Sequence, residues 1–251
     1  MTTHWIAIWF GRALILAGFL AAWQLASGTL IPKMFVSDPI SIIETIALWI
    51  ADGSLWNHLA TTLVTLLLGY GLGAALGIAA GFALGLAPFA DRTLAPFIAA
   101  FYGLPKVALL PLFVIFLGIG IESKVALVAV VVAFLLFYNT RAGVRDVDPD
   151  LINSLRLMGA TQAEILRKVF VPVTLPWIYT GLRVAVGYAL TSTVVGEVLS
   201  SNRGLGFLIE SSAGRFNSAG VFAAVAVLVA LSLLITATLT RMEVSSSRWR
   251  M

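Results

Sequence analysis

The 251-residue chain contains no cysteine, which excludes disulfides and thiolate metal sites. Charge is scarce as well: only 11% of residues are Asp, Glu, Lys or Arg. The two histidines, His4 and His58, stand far apart and read as interfacial polar residues rather than metal ligands. There is no GxxxxGK[ST] loop to cradle phosphates, no HExxH pair and no GxSxG elbow, so the parts of phosphoryl transfer, zinc hydrolysis and serine-esterase chemistry are missing. Nor does any apolar stretch hold an acidic cluster of metal-binding spacing. The expectation is a protein that performs no bond chemistry and carries no cofactor of its own.

What is abundant is apolar. Hydrophobic residues make up 60% of the chain and the mean hydropathy is +0.99, which predicts an all-α integral membrane protein. Apolar stretches near residues 10–26, 59–87, 94–117, 125–138, 177–199 and 221–239 give about six spans, most of them approaching the roughly 20 residues that cross hydrocarbon. The fourth looks short because Lys124 and Arg141 mark its ends, where long side chains snorkel. With the N-terminus inside, Arg12, Arg92, Arg141, Arg145, Arg156, Arg167, Lys168, Arg241, Arg248 and Arg250 are cytoplasmic. Lys33, Lys124, Arg203 and Arg215 lie outside, and Lys106 and Arg183 fall within or at the edges of spans. That asymmetry places both termini in the cytoplasm. The net charge of +4 is then an anchor on anionic headgroups and calls for no nucleic acid. Arg12, the apolar run after it and Ala26-Ser27-Gly28 have the look of a signal peptide, but the charged region is thin and the segment is read as a retained first span.

Between the first two spans, Ser37-Asp38-Pro39 opens an amphipathic stretch that ends at Asp52-Gly53, with Trp49 and Trp56 at headgroup level. It serves either as part of an external docking surface or as an interfacial helix packed on lipid. The second span carries Gly69, Gly73, Gly77, Gly81 and Gly85, one every four residues, a spacing that lets another backbone approach closely. Packing within one bundle is the simpler use, pairing of two copies the other. The third span is interrupted by Pro96, Gly103, Pro105 and Pro111, with Lys106 near its middle. Broken backbone at that depth is tolerated where protein or a water-filled cavity satisfies the freed carbonyls. Lys106 either faces the path of an anionic solute or bonds those carbonyls. On the fifth span, Tyr188, Thr191, Ser192 and Glu197 fall on neighbouring helical positions and are candidates to line a pathway, with Tyr102 a further one. The alternative is that the Ser and Thr hydroxyls bond their own backbone.

Residues 148–176 break the apolar pattern with two short amphipathic helices hinged at Gly159. Asp148 caps the first, Pro149 takes its first helical position, and Gly159 suits the left-handed residue that ends it. Thr161 and Glu164 have capping-box spacing, so a second helix starts at once and runs towards Pro172. Leu151, Leu155 and Met158 lie along one side of the first, and Ile165, Val169 and Leu166 mark the second. By pattern alone this is a loop lying on headgroups or a foot for a soluble partner.

The run Gly159-Ala160, Ile165-Leu166, Leu175-Pro176 resembles the cytoplasmic coupling loop of ABC importer permeases, described as Glu-Ala-Ala, three residues, Gly, and a later Leu-Pro. Residues 104–113, Gly118-Ile119-Gly120, residues 195–199 and Gly204-Leu205-Gly206 are similar to the nitrate/sulfonate/taurine branch. The resemblance covers nearly the whole chain and departs where Asn153-Ser154-Leu155 replaces Glu-Ala-Ala. It implies a type I ABC importer (MetI-like) permease fold in one domain, residues 1–251, with a coupling loop at about 146–172 formed by Asn153, Ser154, Leu155, Met158, Gly159, Ala160, Thr161, Glu164 and Ile165. It also implies a bacterial inner-membrane location and a homodimer of permease copies. Two cytoplasmic ATPase subunits, binding ATP and magnesium, and an extracytoplasmic solute-binding protein complete the expected complex. The solute class expected is an aliphatic sulfonate or taurine, then a nitrate-like oxyanion, then a neutral heterocycle such as a vitamin precursor. An ion-coupled secondary transporter is the rival; it calls for an internal repeat with a second broken helix.

Overall fold

A computed structural model describes the backbone of residues 2–247 and the side chains of residues 8–238. The expectations for the side chains of His4, Arg241, Arg248 and Arg250 lie outside the described residues. Among the described residues the regular structure is helical, joined by short turns and loops, apart from an isolated bridge between Ser27 and Ile31. The helices are α1 (Thr2–Ala26), α2 (Pro39–Ala51), α3 (Ser54–Gly85), α4 (Pro88–Gly103), α5 (Leu110–Leu117), α6 (Ile121–Arg145), α7 (Pro149–Leu157), α8 (Gln162–Ile165), α9 (Val171–Ser200), α10 (Leu205–Gly214) and α11 (Ser218–Ser247). Five are long and apolar enough to cross a membrane by themselves, and the α4–α5 pair makes a sixth if it counts as one span.

The core is the packing of α3 on α6, the largest interface in the molecule, with α9 closing the third side. Gly69, Gly73, Gly77, Gly81 and Gly85 all face α6. A Cβ at Gly73 would lie 2.5 Å from the Ala129 carbonyl oxygen, and one at Gly85 2.8 Å from Val144 Cβ. Small residues thus bring the two backbones together along the length of both helices. Leu66, Ala74, Val128, Val132, Leu136, Ala185 and Ala189 fill the space between the three. By contrast α1 stands at the periphery, fastened mainly near its end by Gln24 Nε2 donating to Asp38 and by Trp23 set edge-on to Phe222.

The interruption expected in the third span is a bend: two helices meet at 87° around a 3-10 turn at Lys106–Leu109, because Pro105 lacks an N–H and turns Leu104 to extended backbone. One expectation needs correction. The second helix of the insert does not end near Pro172. A π turn, Leu166–Phe170, closed by Val171 N–H to the Leu166 carbonyl, joins α8 to α9, and the helical path is unbroken from Gln162 to Ser200.

Candidate functional site

At one end of the bundle the insert is built by local rules. Asp148 accepts from the Asp150 amide at 2.8 Å with Pro149 in the first turn. Gly159 is left-handed at φ +83°, and the Gly159 and Ala160 amides return to the carbonyls of Arg156 and Leu155, a Schellman closure. The Thr161–Glu164 capping box is complete: Glu164 accepts from the Thr161 amide at 3.0 Å and Thr161 Oγ1 from the Glu164 amide at 3.3 Å. Leu155, Met158, Gly159, Ala160, Glu164, Ile165 and Lys168 line a groove of about 300 Å³. Ile165 is buried under it, while Asn153, Ser154 and Leu151 are exposed and Met158 is 82% exposed. Leu157, which the amphipathic reading passed over, is 91% exposed. The helical hairpin thus holds two bare apolar side chains, Leu157 and Met158, at its tip.

At the α4–α5 bend, Lys106 Nζ donates to the Tyr102 carbonyl, the acceptor whose helical partner is lost when α4 stops. The ammonium lies 4.2 Å from the centre of the Tyr102 ring and 5.3 Å from that of Phe134, and Tyr102 meets Tyr138 edge-on at 4.6 Å. Lys106 is thus bonded to a carbonyl released by the break and is also half-exposed. It is not alone at depth. Arg183, placed by the sequence reading within or at the edge of a span, sits in the middle of α9 on its exposed side, beside Gly187, Ser232 and Thr236.

The proposed face of α9 divides. Tyr188 and Thr191 are exposed, the Thr191 hydroxyl bonding the Gly187 carbonyl. Ser192 and Glu197 are turned into the molecule, Glu197 completely. Glu197 accepts from Thr62 Oγ1 at 2.9 Å and from the Gly206 amide at 2.9 Å, while Thr62 accepts from the Leu205 amide at 2.9 Å and His58 Nδ1 from the Gly204 amide at 3.0 Å. This correction has a steric cause. A Cβ at Gly206 would lie 2.5 Å from the Val194 carbonyl oxygen, so the Gly204-Leu205-Gly206 turn presses its amides onto α9, where a carboxylate can receive them. Lys124 is also not a snorkelling end residue. It is 2% exposed, and its Nζ donates to the carbonyls of Ile119 and Gly120, both at 2.7 Å.

Sequence reasoning missed one cluster altogether. Asp91, in the first turn of α4, is 1% exposed and is held by both Arg141 and Arg145 of α6, Arg141 Nη2 approaching at 2.8 Å. The i,i+4 spacing that aims both guanidinium groups at one point was visible; their target 50 residues earlier was not.

The arrangement matches solved transporters. Over 77% of this chain and 94% of the other it superposes on an inward-facing structure of the MetNI methionine ABC transporter with a TM-score of 0.65 and 22% identity. It covers 85% of this chain and 99% of an amino acid ABC transporter crystallised with histidines, at a TM-score of 0.64 and 19% identity. These likenesses define the class: the membrane subunit fold of type I ABC importers. The chain belongs to the family of binding-protein-dependent transport system inner membrane components, whose model matches residues 73–250. It is 33% identical to the taurine transport system permease protein TauC of Escherichia coli (strain K12), over 77% of this chain and 72% of that one. It is 34% identical to the riboflavin transport system permease protein RibX of Chloroflexus aurantiacus, over 86% and 80%. The formylaminopyrimidine transport permease protein ThiX of Halalkalibacterium halodurans is 31% identical over 80% of each. The chain is therefore an ABC importer permease rather than an ion-coupled transporter, and the family implies an ATPase and a binding protein as partners.

Proposed function

We propose that two copies of this chain form the translocation pathway for a small solute that carries an anionic group, an aliphatic sulfonate or taurine before a nitrate-like oxyanion, with a neutral vitamin precursor third. Two cytoplasmic ATPase subunits drive it, and an extracytoplasmic protein delivers the solute. Both termini lie in the cytoplasm, and the 146–172 segment takes up the ATPase, with Leu157 and Met158 entering the partner and Asn153 hydrogen-bonding to it. Closure of the ATPases moves the segment about Gly159, and the unbroken helix 162–200 carries that motion to the membrane.

The observation that carries the anionic reading is the distribution of charge at depth. Lys106 stands at the α4–α5 bend on a partly exposed position, whereas Glu197 and Asp91 are buried against their own donors. The pathway face is therefore neutral to positive, which lowers the barrier to an anion in a low-dielectric passage. The relatives span sulfonates and heterocycles, so the solute is decided by experiment: uptake by the reconstituted complex with its own binding protein, comparing taurine, an alkanesulfonate, nitrate and riboflavin. Selective uptake of a cation would refute the electrostatic argument.

A further inference from the structure

Whereas α5 rests on α6 with Leu110 buried, the helix α4, which leads into the bend and Lys106, is poorly packed on the rest of the chain. Phe89, Leu94, Phe97 and Phe101 all point away from it, Phe89 at 86% exposure. Two fastenings hold α4 to α6. One is the ring cluster of Tyr102 with Tyr138 and Phe134 at the bend; the other is the carboxylate of Asp91 between Arg141 and Arg145 at the opposite end.

The second fastening lies at the root of the coupling segment. Arg145 ends α6, Asp146 accepts from Trp177 Nε1 of α9 at 3.3 Å, and Asp148 caps α7. Between them Gly143 lets α6 touch α9, since a Cβ there would lie 2.8 Å from Trp177 Cδ1 and 2.9 Å from Thr174 Cγ2. The inner ends of α6 and α9 thus form one body with the foot, and α4 is tied to that body by charge rather than by packing. A buried carboxylate bound by two guanidinium groups at fixed angles resists both sliding and rotation.

Building on the coupling role proposed for the 146–172 segment, we propose that the Asp91–Arg141–Arg145 clasp is the strut that carries movement of the ATPase foot to α4 and thence to the Lys106 bend. Asp91 is a positioning residue: it touches no solute, and it makes α4 follow the inner end of α6. Without it the foot and α9 still move, and α4 lags behind.

The test uses the complete complex with its ATPase and binding protein in nanodiscs. Because the chain has no cysteine, single cysteines at Ser154 in the foot and at the exposed Thr93 in α4 carry spin labels, one per copy. Distances between copies are measured with and without magnesium-ATP and vanadate. In the parent both distances change. In Asp91→Asn the Ser154 change persists and the Thr93 change is lost, solute moved per ATP falls roughly tenfold, and Asp91→Glu, which still reaches both arginines, restores most of it. Should Asp91→Asn fail to assemble, Arg145→Gln keeps Arg141 on the buried carboxylate but removes one arm of the clasp, and the Thr93 change shrinks to about half. A Thr93 change of parental size in either assembled variant, or an unaltered transport-to-hydrolysis ratio, overturns the strut. If the Ser154 distance does not respond in the parent, the coupling reading itself fails and the strut with it.

Discussion

Alanine at Gly73 and alanine at Gly71 are the same chemical change two residues apart, and the structure assigns them opposite consequences. A Cβ at Gly73 would stand 2.5 Å from the Ala129 carbonyl oxygen, 2.8 Å from Val132 Cβ and 3.0 Å from Ala129 Cα, whereas nothing lies within 4 Å of one at Gly71. The obstacle at Gly73 is backbone, so no rotamer change relieves it and α3 must move roughly 1 Å off α6, a gap at which dispersion contacts forfeit up to about half their depth. Overpacking of this kind costs about 1–3 kcal/mol. Alanine regains some 0.8–1 kcal/mol of helix propensity over glycine, but both variants gain that equally and it cancels in their difference. For a chain of this size, 1 kcal/mol moves the midpoint by about 2–4 °C, so Gly73→Ala should melt roughly 2–12 °C below Gly71→Ala. Thermal denaturation in detergent, followed by fluorescence-detected size exclusion, reads this directly. Equal midpoints would refute the claim that the glycine row exists for contact with α6.

Gly159→Val forces a β-branched residue to φ +83°; the protein should insert normally while ATP-coupled transport falls several-fold, checked by uptake and hydrolysis in the same proteoliposomes. Glu197→Ala strands the Gly206 amide and the Thr62 hydroxyl and should destabilise by about 2–5 kcal/mol, whereas Glu197→Gln, which keeps an acceptor, should lose less than half of that in the same melting assay. Lys106→Met should slow anion uptake; a normal rate would reduce Lys106 to a plug for the Tyr102 carbonyl. Asp38, which caps α2, is held well below the usual carboxylate pKa chiefly by the Ser41 amide, with Lys33 adding to it. A depressed pKa contributes stability that is complete above the ordinary value near 4 and disappears as pH falls through the lower folded value. The melting gap between parent and Asp38→Asn should therefore be the same at pH 7 and pH 5 and should narrow only below about pH 4. Impermeant thiol reagents should label cysteines at the exposed Asp52 and at Ser201 from outside intact cells and leave one at Ser154 untouched.

What could be read from the chain beforehand divides by range. The cap at Asp148, the left-handed Gly159 and the Thr161–Glu164 box are settled by residues close to each other in sequence, and all stand where the spacing placed them. The row of glycines was equally plain as a pattern, although it said nothing of which helix it would meet. Lys124, Asp91 and Glu197 were misread or passed over for the opposite reason. A charged residue in an apolar chain looks like an end marker or a pathway group until its partner is known, and for two of the three the partners are distant: Thr62 is 135 residues from Glu197 and Arg141 is 50 from Asp91; Lys124 bonds carbonyls only four and five residues back, and what the spacing hid there is its burial. The helix α10 was unforeseen because its amphipathic pattern is short and lies between two longer apolar runs. The turn at Pro172 was foreseen as a stop because proline ends most helices; a single wide turn just before it lets the helix go on.

That wide turn sets an angle as well as a connection. A π turn is an α-helix with one residue too many, and each residue of a helix contributes about 100° of rotation and 1.5 Å of rise. Removing one residue from 166–170 would leave the foot nearly as far from the membrane as before, yet swing Leu157 and Met158 about a quarter of the way round the axis of α9. The direction in which the hairpin projects from α9 is thus stored as a phase, in one surplus residue.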